Sequence, residues 1–355
     1  MNIVVIGGVA AGTKAAAKLM RENRDNKVTI FEKGKEISYA GCGLPYYIGG
    51  DIADRASLVV NTPEKFSSLT GVTVRTEMEA VKVDSEKKTV SFRNGEVVSY
   101  DKLIIATGAS PIFPDIPGKE NEGVFTLRTV DDAVRIRKYA EDNSVHRCIV
   151  VGASFIGLEC AENLRSRGME VTLVDKESQI LPGLLDPDMA DYVRKEIQKS
   201  GVKILLSSSL EEILGEGKVK GIRTAFGTVS GEMVILALGV RPNSAFVSDL
   251  GLEMEKGAIV VDESMKTSVQ DIYAAGDVAM VRNMATHRHQ YSAMGSTANI
   301  TGRILAKAIS GEKAEYKGCL GTAVIKATDS LNVGRTGLTL AGAGKIGFDA
   351  ESVSV

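Results

Sequence analysis

Gly7, Gly8 and Gly12 follow at once on the β-branched run Ile3-Val4-Val5-Ile6, and a stretch rich in Ala and Lys follows them. Strand, glycine turn and helix in that order is how a chain holds a dinucleotide. The first glycine makes the tight turn, the last lets helix pack on strand, and the helix N-terminus faces the pyrophosphate. The next apolar run, Val28-Thr29-Ile30-Phe31, closes on Glu32, 20 residues after Gly12, the spacing at which a carboxylate meets ribose hydroxyls. Lys33 adjoins it and is counted with the same edge. Val9 stands where the middle glycine of G-x-G-x-x-G is usual, so the turn taken alone also reads as an ordinary strand-to-helix connection.

The pattern is repeated about 145 residues later. Cys148-Ile149-Val150-Val151 leads into Gly152-Ala153-Ser154-Phe155-Ile156-Gly157, a helix to about Arg167, and Val171-Thr172-Leu173-Val174-Asp175, with the acid 18 residues after Gly157. Two copies with matched context are hard to obtain by chance. Asp175 is expected to accept from a ribose 2′-hydroxyl and to repel a 2′-phosphate, which favours NADH; Lys176 beside it keeps NADPH admissible. Two further runs end in glycine, at Ala106-Thr107-Gly108 and at Leu236-Ala237-Leu238-Gly239, where backbone can come close to a ligand. Ala274-Ala275-Gly276-Asp277 sets a carboxylate just past a small-residue strand end, within reach of a polyhydroxyl chain.

The elements that must position these residues are those of an α/β chain of 355 residues. Hydrophobic residues make up 44% and aromatic ones 5%, with no Trp and 37 Gly, a balance that favours parallel sheets over a sandwich. The formal net charge of -2 supplies no global positive field for nucleic acid. No apolar stretch approaches the roughly 18 residues of a membrane span. Four scattered cysteines with no C-x-x-C pair argue against a secreted disulfide scaffold or a structural metal site. A soluble, cytoplasmic protein without metal is expected.

In this order and spacing the chain, to about residue 310, resembles the flavin-dependent pyridine nucleotide-disulfide oxidoreductases. The stretch Ser38-Tyr39-Ala40-Gly41-Cys42-Gly43-Leu44-Pro45-Tyr46-Tyr47 is similar to their single-cysteine branch, which includes coenzyme A-disulfide reductases, NADH-dependent persulfide reductases and NADH oxidases or peroxidases. The resemblance implies two Rossmann-like domains plus the start of a C-terminal dimerisation domain. Residues 1–112 would be the first part of an FAD-binding domain, 113–240 an NAD(P)H-binding domain with its linker, 241–311 the return segment to FAD, and 312–355 the incomplete dimerisation domain. A homodimer is expected if that last domain is complete. By the same resemblance Glu32 holds the FAD ribose, Asp277 the ribityl chain and Arg128 the flavin region, while Phe155 is a lid over the nicotinamide site; from the residues alone, Phe155 also reads as a core aromatic.

Dithiol members of this superfamily carry a second cysteine five positions after the first, and here that position is Tyr47, so Cys42 must work with an outside partner. Small neighbours let backbone approach a flat ring, and a helix start favours the thiolate, which is the form that attacks a disulfide sulfur. The expected sequence is hydride from NADH to FAD, then reduction of a mixed disulfide or oxidised sulfur on Cys42. Cys148 and Cys160 read as buried small hydrophobes, and Cys319 carries no assignment.

Lys14, Lys18 and Arg21 share one face of the first helix. With Ser38 and Asn299 they match positions that, by resemblance, hold coenzyme A, although a row of cations also serves simply to solvate a helix. Gly41, where the family commonly has Asn, and Leu69-Thr70, where a basic residue is frequent, depart from that pattern. The alternatives are a peroxide or oxygen reductase working through Cys42 sulfenic acid, against which Ala10-Ala11 replace the usual turn histidine, and a redox-sensing flavoprotein without turnover.

Overall fold

A computed structural model describes residues 1–354, which fall into two compact units: 1–40, 59–110 and 241–320 in the first, and 41–58, 111–240 and the stretch from 321 onward in the second. The core of the first is a five-stranded parallel sheet in the order Ile272–Ala274, Lys102–Ile105, Asn2–Ile6, Lys27–Phe31, Thr73–Arg75. Strands covered on both faces need apolar residues at every position rather than at alternate ones. Ile3, Val4 and Val5 are accordingly all fully buried.

Helix Ala11–Glu22 turns Ala15, Ala16 and Leu19 inward and leaves Lys14, Lys18 and Arg21 on its outer face. Along it lies helix Gly295–Ile309. The two come close because residue 302 is glycine: a Cβ there would stand 2.5 Å from the Ala11 carbonyl oxygen. A three-stranded antiparallel sheet between Ala80 and Ser99 and a four-stranded one between Met254 and Tyr291 complete this unit.

The second unit repeats the plan. Its parallel sheet runs Lys203–Leu205, Glu170–Val174, Arg147–Val151, Met233–Leu236, Val124–Phe125. Strand Arg147–Val151 sits between its two neighbours as Asn2–Ile6 does in the first unit, and helix Phe155–Ser166 makes the crossover. Helix Val130–Asp142 opens with a reciprocal cap between Thr129 and Asp132, which ties off two N–H groups that would otherwise lack partners. The expected α/β class with two dinucleotide-type sheets is thus present.

Two segments sit differently from the linear division. Residues 41–58 group with the second unit, because helix Leu44–Gly49 packs on Phe155–Ser166. Of the C-terminal stretch, Tyr316 and Cys319 belong to the first unit's core, whereas the hairpin Ala323–Thr328/Leu331–Arg335 packs on Phe155–Ser166 in the second. Among the described residues no helix is long and apolar enough to cross a membrane.

Candidate active site

In the first unit the glycine turn is fixed by close backbone approaches. Gly7 has φ +102°, and a Cβ on it would lie 2.2 Å from the Ala106 carbonyl oxygen; a Cβ on Gly12 would lie 1.9 Å from the oxygen of Gly7. Only glycine meets both demands. Glu32 then closes the turn from the end of the second strand: its carboxylate accepts from the Gly8 N–H at 2.7 Å and from the Gly34 N–H at 2.8 Å. The acid therefore stands at the mouth of the turn, where the sequence pattern requires it. Lys33 instead points to Glu79, at 2.9 Å. Arg93 first, and Lys33 second, pull the Glu79 carboxyl down to about 2.

The Ala106-Thr107-Gly108 piece is held by Asn243. Its Nδ2 donates to the Thr107 carbonyl at 2.9 Å, and Thr107 Oγ1 donates to the Asn243 carbonyl at 2.7 Å. Gly108 and Gly276 both have positive φ, +65° and +78°. Asp277 is half-buried, and its carbonyl accepts from the Tyr291 hydroxyl at 2.8 Å.

The second unit repeats the close backbone approaches of the first turn. Gly152 has φ +110° with the Ala237 oxygen 2.3 Å from an added Cβ, and Gly157 would place its Cβ 1.8 Å from Gly152 O. Asp175, 8% exposed, accepts from the Ala153 N–H at 2.5 Å and from the Glu177 N–H at 2.9 Å. These mirror the Glu32 bonds to residues 8 and 34. Ser154 stands at the N-cap position with its side chain exposed and no capping bond, Phe155 is half-buried in the first turn, and Ile156 is exposed. Phe155 is thus not sealed in the core. Gly239 has φ +97°. Lys176 is turned toward Glu177, at 3.8 Å. The Arg128 N–H donates to the Asp132 carboxylate at 3.1 Å, just ahead of helix Val130–Asp142.

Cys42 is exposed, in a single 3-10 turn (Gly41–Gly43) that runs directly into helix Leu44–Gly49. That helix is clamped in place. Arg137 donates to the carbonyls of Tyr47 and Ala53 at 3.3 and 3.1 Å, with its guanidinium over the Tyr47 ring. Arg167 donates to the Ile48 carbonyl at 2.8 Å. Any Cβ on Gly49 would meet Asn163 Oδ1 at 2.7 Å, so the packing on Phe155–Ser166 is as close as backbone allows.

By contrast Cys148 and Cys160 are buried, and burial pushes both thiols well above the ordinary range; Cys319 lies in the first unit's core. Among the described residues no group of three or more His, Cys, Asp or Glu could hold a metal ion.

Of the expected cation row, Lys18 is ion-paired with Glu22 in the next turn. Lys14 is half-buried and Arg21 exposed, and neither forms an ion pair among the described residues. The Ser38 N–H donates to the Gly8 carbonyl at 2.9 Å, which places Ser38 beside the first glycine turn. Asn299 lies on the helix that packs along Ala11–Glu22, its amide donating to the Gly295 carbonyl at 2.8 Å. Lys14, Arg21, Ser38 and Asn299 are therefore all carried by the first unit, Cys42 and Arg128 by the second.

One pair escaped the sequence reading. Glu159, one turn after Phe155, is the carboxylate that acts on Tyr46, and burial pushes Glu159 up to about 7. The available signal was spacing: Tyr46 follows Cys42 by four residues, and Glu159 follows Phe155 by four.

The family profile described as pyridine nucleotide-disulphide oxidoreductase matches residues 1–298. Over 343 residues the chain is 38% identical to an NADH oxidase of Methanocaldococcus jannaschii, covering 96% of this chain and 76% of that one. It is 33% identical over 341 residues to a coenzyme A disulfide reductase of Staphylococcus aureus, covering 92% and 75%. The solved structure of an NAD-dependent persulfide reductase from A. fulgidus superposes with a TM-score of 0.94 at 37% identity, over 98% of this chain; the chain spans 66% of that protein's length.

Proposed function

The chain belongs to the pyridine nucleotide-disulphide oxidoreductase family, and on that footing we propose that it uses NADH and FAD to reduce a coenzyme A disulfide or persulfide through Cys42. Bound FAD would supply the two-electron chemistry that links nicotinamide oxidation to sulfur reduction. The chain's own residues fit both nucleotides: two turns that admit no Cβ, each closed by a carboxylate from the neighbouring strand. Glu32 and Asp175 orient ribose hydroxyls, and the turn N–H groups face pyrophosphate.

Asp175 is pinned by two backbone N–H groups, so it cannot swing away from a 2′-phosphate, which supports the preference for NADH. Phe155, half-buried in the first turn of the second crossover helix, is placed to cover the nicotinamide site. Asp277 and Arg128 are assigned to the ribityl chain and the flavin region.

The observation that carries the reading is the contrast among thiols: Cys42 is exposed on a clamped helical turn, while Cys148, Cys160 and Cys319 are buried. As thiolate, Cys42 attacks one sulfur of the substrate, forms a mixed disulfide and releases the other half as thiol. Lys14, Arg21, Ser38 and Asn299 would receive the phosphates and polar groups of coenzyme A; with Lys18 drawn to Glu22, Lys14 and Arg21 carry most of that attraction.

Reversing those charges, Lys14→Glu with Arg21→Glu, tests this directly. KM for coenzyme A disulfide should rise far more than KM for inorganic polysulfide, and the gap should narrow at high salt. Equal changes for both substrates would remove coenzyme A recognition from this face. A second reading, reduction of peroxide or oxygen through Cys42 sulfenic acid, draws on the NADH oxidase of M. jannaschii. Steady NADH consumption with oxygen and no disulfide would favour it.

A further inference from the structure

Downstream of Asp175 the chain folds back onto the second glycine turn. The Leu181 N–H donates to the Ala153 carbonyl at 2.8 Å, while the Ala153 N–H donates to Asp175. Ile180 and Leu181 are fully buried, and the Leu184 N–H closes a turn on the Leu181 carbonyl at 2.9 Å. Leu181 holds φ +47°, a conformation that persists for such a side chain where the surroundings impose it. Residues 178–186 are therefore a wall of the turn.

The stretch from Gly321 onward grips this wall. Asp186 stands at the N-cap of helix Pro187–Lys199, a position where aspartate ordinarily accepts from its own helix, yet its side chain makes no bond there. Its carboxylate accepts instead from the Leu340 and Ala341 N–H groups, at 2.7 and 3.2 Å. Thr339 takes the next N–H, of Gly342, at 3.0 Å, so helix Leu340–Lys345 begins with its first three N–H groups satisfied. Arg335 donates to the Gly183 carbonyl at 3.4 Å, and the Ser354 hydroxyl donates to Asp188 at 3.2 Å.

A second anchor lies on the crossover helix Phe155–Ser166. Glu162 is 5% exposed; its Oε1 meets Lys326 Nζ at 3.0 Å and accepts from the Ser166 hydroxyl at 3.3 Å, while Oε2 is buried with no hydrogen-bond partner among the described residues. Lys326 is shared with Asp329 at 2.8 Å. A carboxylate so buried is strongly destabilising once its cation is removed, and the pair holds strand Ala323–Thr328 on the helix that starts at the glycine turn.

We propose that the stretch from Gly321 onward is a strap that positions the second glycine turn for NADH, with Asp186 and Lys326 as positioning residues. The inference rests on the reading of the Gly152 turn as the NADH site. The path is short: helix Leu340–Lys345 holds Asp186, the segment that ends at Asp186 holds Ala153, and Ala153 holds Asp175, the carboxylate assigned to the ribose. Coupling of binding free energies is reciprocal, so a strap that favours the nucleotide-ready turn is itself steadied when NADH binds.

The test uses the flavin-loaded full chain and two readouts: flavin bleaching against NADH concentration, and backbone hydrogen exchange over residues 177–186 and 338–346. In wild type, NADH should slow exchange in both segments. Asp186→Ala should speed exchange in both and raise the apparent Kd for NADH on the order of 10-fold, with flavin content and the limiting bleaching rate unchanged. Asp186→Asn, which keeps an acceptor oxygen, should recover most of that loss, and Lys326→Met should raise Kd in the same direction. Faster exchange in Asp186→Ala with an unmoved Kd would make the strap a structural brace and overturn the proposal, as would exchange over 338–346 that ignores NADH in wild type. If Lys326→Met fails to fold, the Asp186 variants decide. A Kd for NADH unmoved by Asp175→Ala would instead overturn the reading of the Gly152 turn as the NADH site.

Discussion

The two glycine turns make a matched pair of perturbations, Gly7→Ala and Gly152→Ala. Each position has φ above +100°, and each would drive a new Cβ to 2.2–2.3 Å from a carbonyl oxygen of the strand alongside, more than 1 Å inside the 3.4 Å at which ordinary contact begins. The obstacle is backbone, so no rotamer change relieves it. Left-handed strain costs about 1–2 kcal/mol, and forced displacement of packed backbone about 1–3 kcal/mol, giving about 2–5 kcal/mol against a domain stability of about 5–15 kcal/mol. Each unit should therefore stay folded, with its turn displaced and Tm lowered by roughly 5–15 °C.

The cofactor consequences should separate. Gly7→Ala should purify with little flavin, because the Gly8 N–H and Glu32 are moved together. Gly152→Ala should keep its flavin but lose rapid bleaching by NADH. Flavin absorbance per protein, thermal melting and stopped-flow bleaching read all three effects. Two variants with wild-type melting, full flavin and unchanged bleaching would refute the reasoning from the turn geometry.

Asp175→Ala leaves the Ala153 and Glu177 N–H groups without their acceptor, at about 1–3 kcal/mol for each that stays dry; Kd for NADH should rise more than Kd for NADPH, and equal losses by titration would show that Asp175 does not read the ribose. Glu79 is held near 2 by Arg93 and Lys33, below its ordinary 4.5. It therefore stabilises the fold above about pH 4.5 and progressively less as pH falls toward 2. Glu79→Gln should flatten the acid limb of the stability curve in that window, and an unchanged limb in acid melting would remove the linkage.

Much of this arrangement was legible because strand, turn and acid recur locally. Gly7 with Glu32 and Gly152 with Asp175 are separated by one crossover each, and period and spacing suffice to find such pairs. The grouping of residues 41–58 with the second unit was not legible, since it depends on Gly49 meeting Asn163 and on Arg137 and Arg167 capturing carbonyls more than 80 residues away. Glu159 was missed for a related reason. Its i+4 spacing from Phe155 is common to any helix, and what sets it apart is burial against Tyr46 in place of a cation. Lys18 looked equivalent to Lys14 and Arg21 by helical spacing, and differs only because Glu22 lies one turn on.

The most direct measurement is a stopped-flow comparison of Cys42→Ser with wild type, following flavin absorbance as NADH is added and then coenzyme A disulfide or a persulfide. The account predicts that the variant's flavin bleaches at close to the wild-type rate and is not reoxidised by either sulfur substrate, because nucleotide binding lies in the glycine turns and sulfur attack in the exposed thiol. Reoxidation of the variant at the wild-type rate would contradict it.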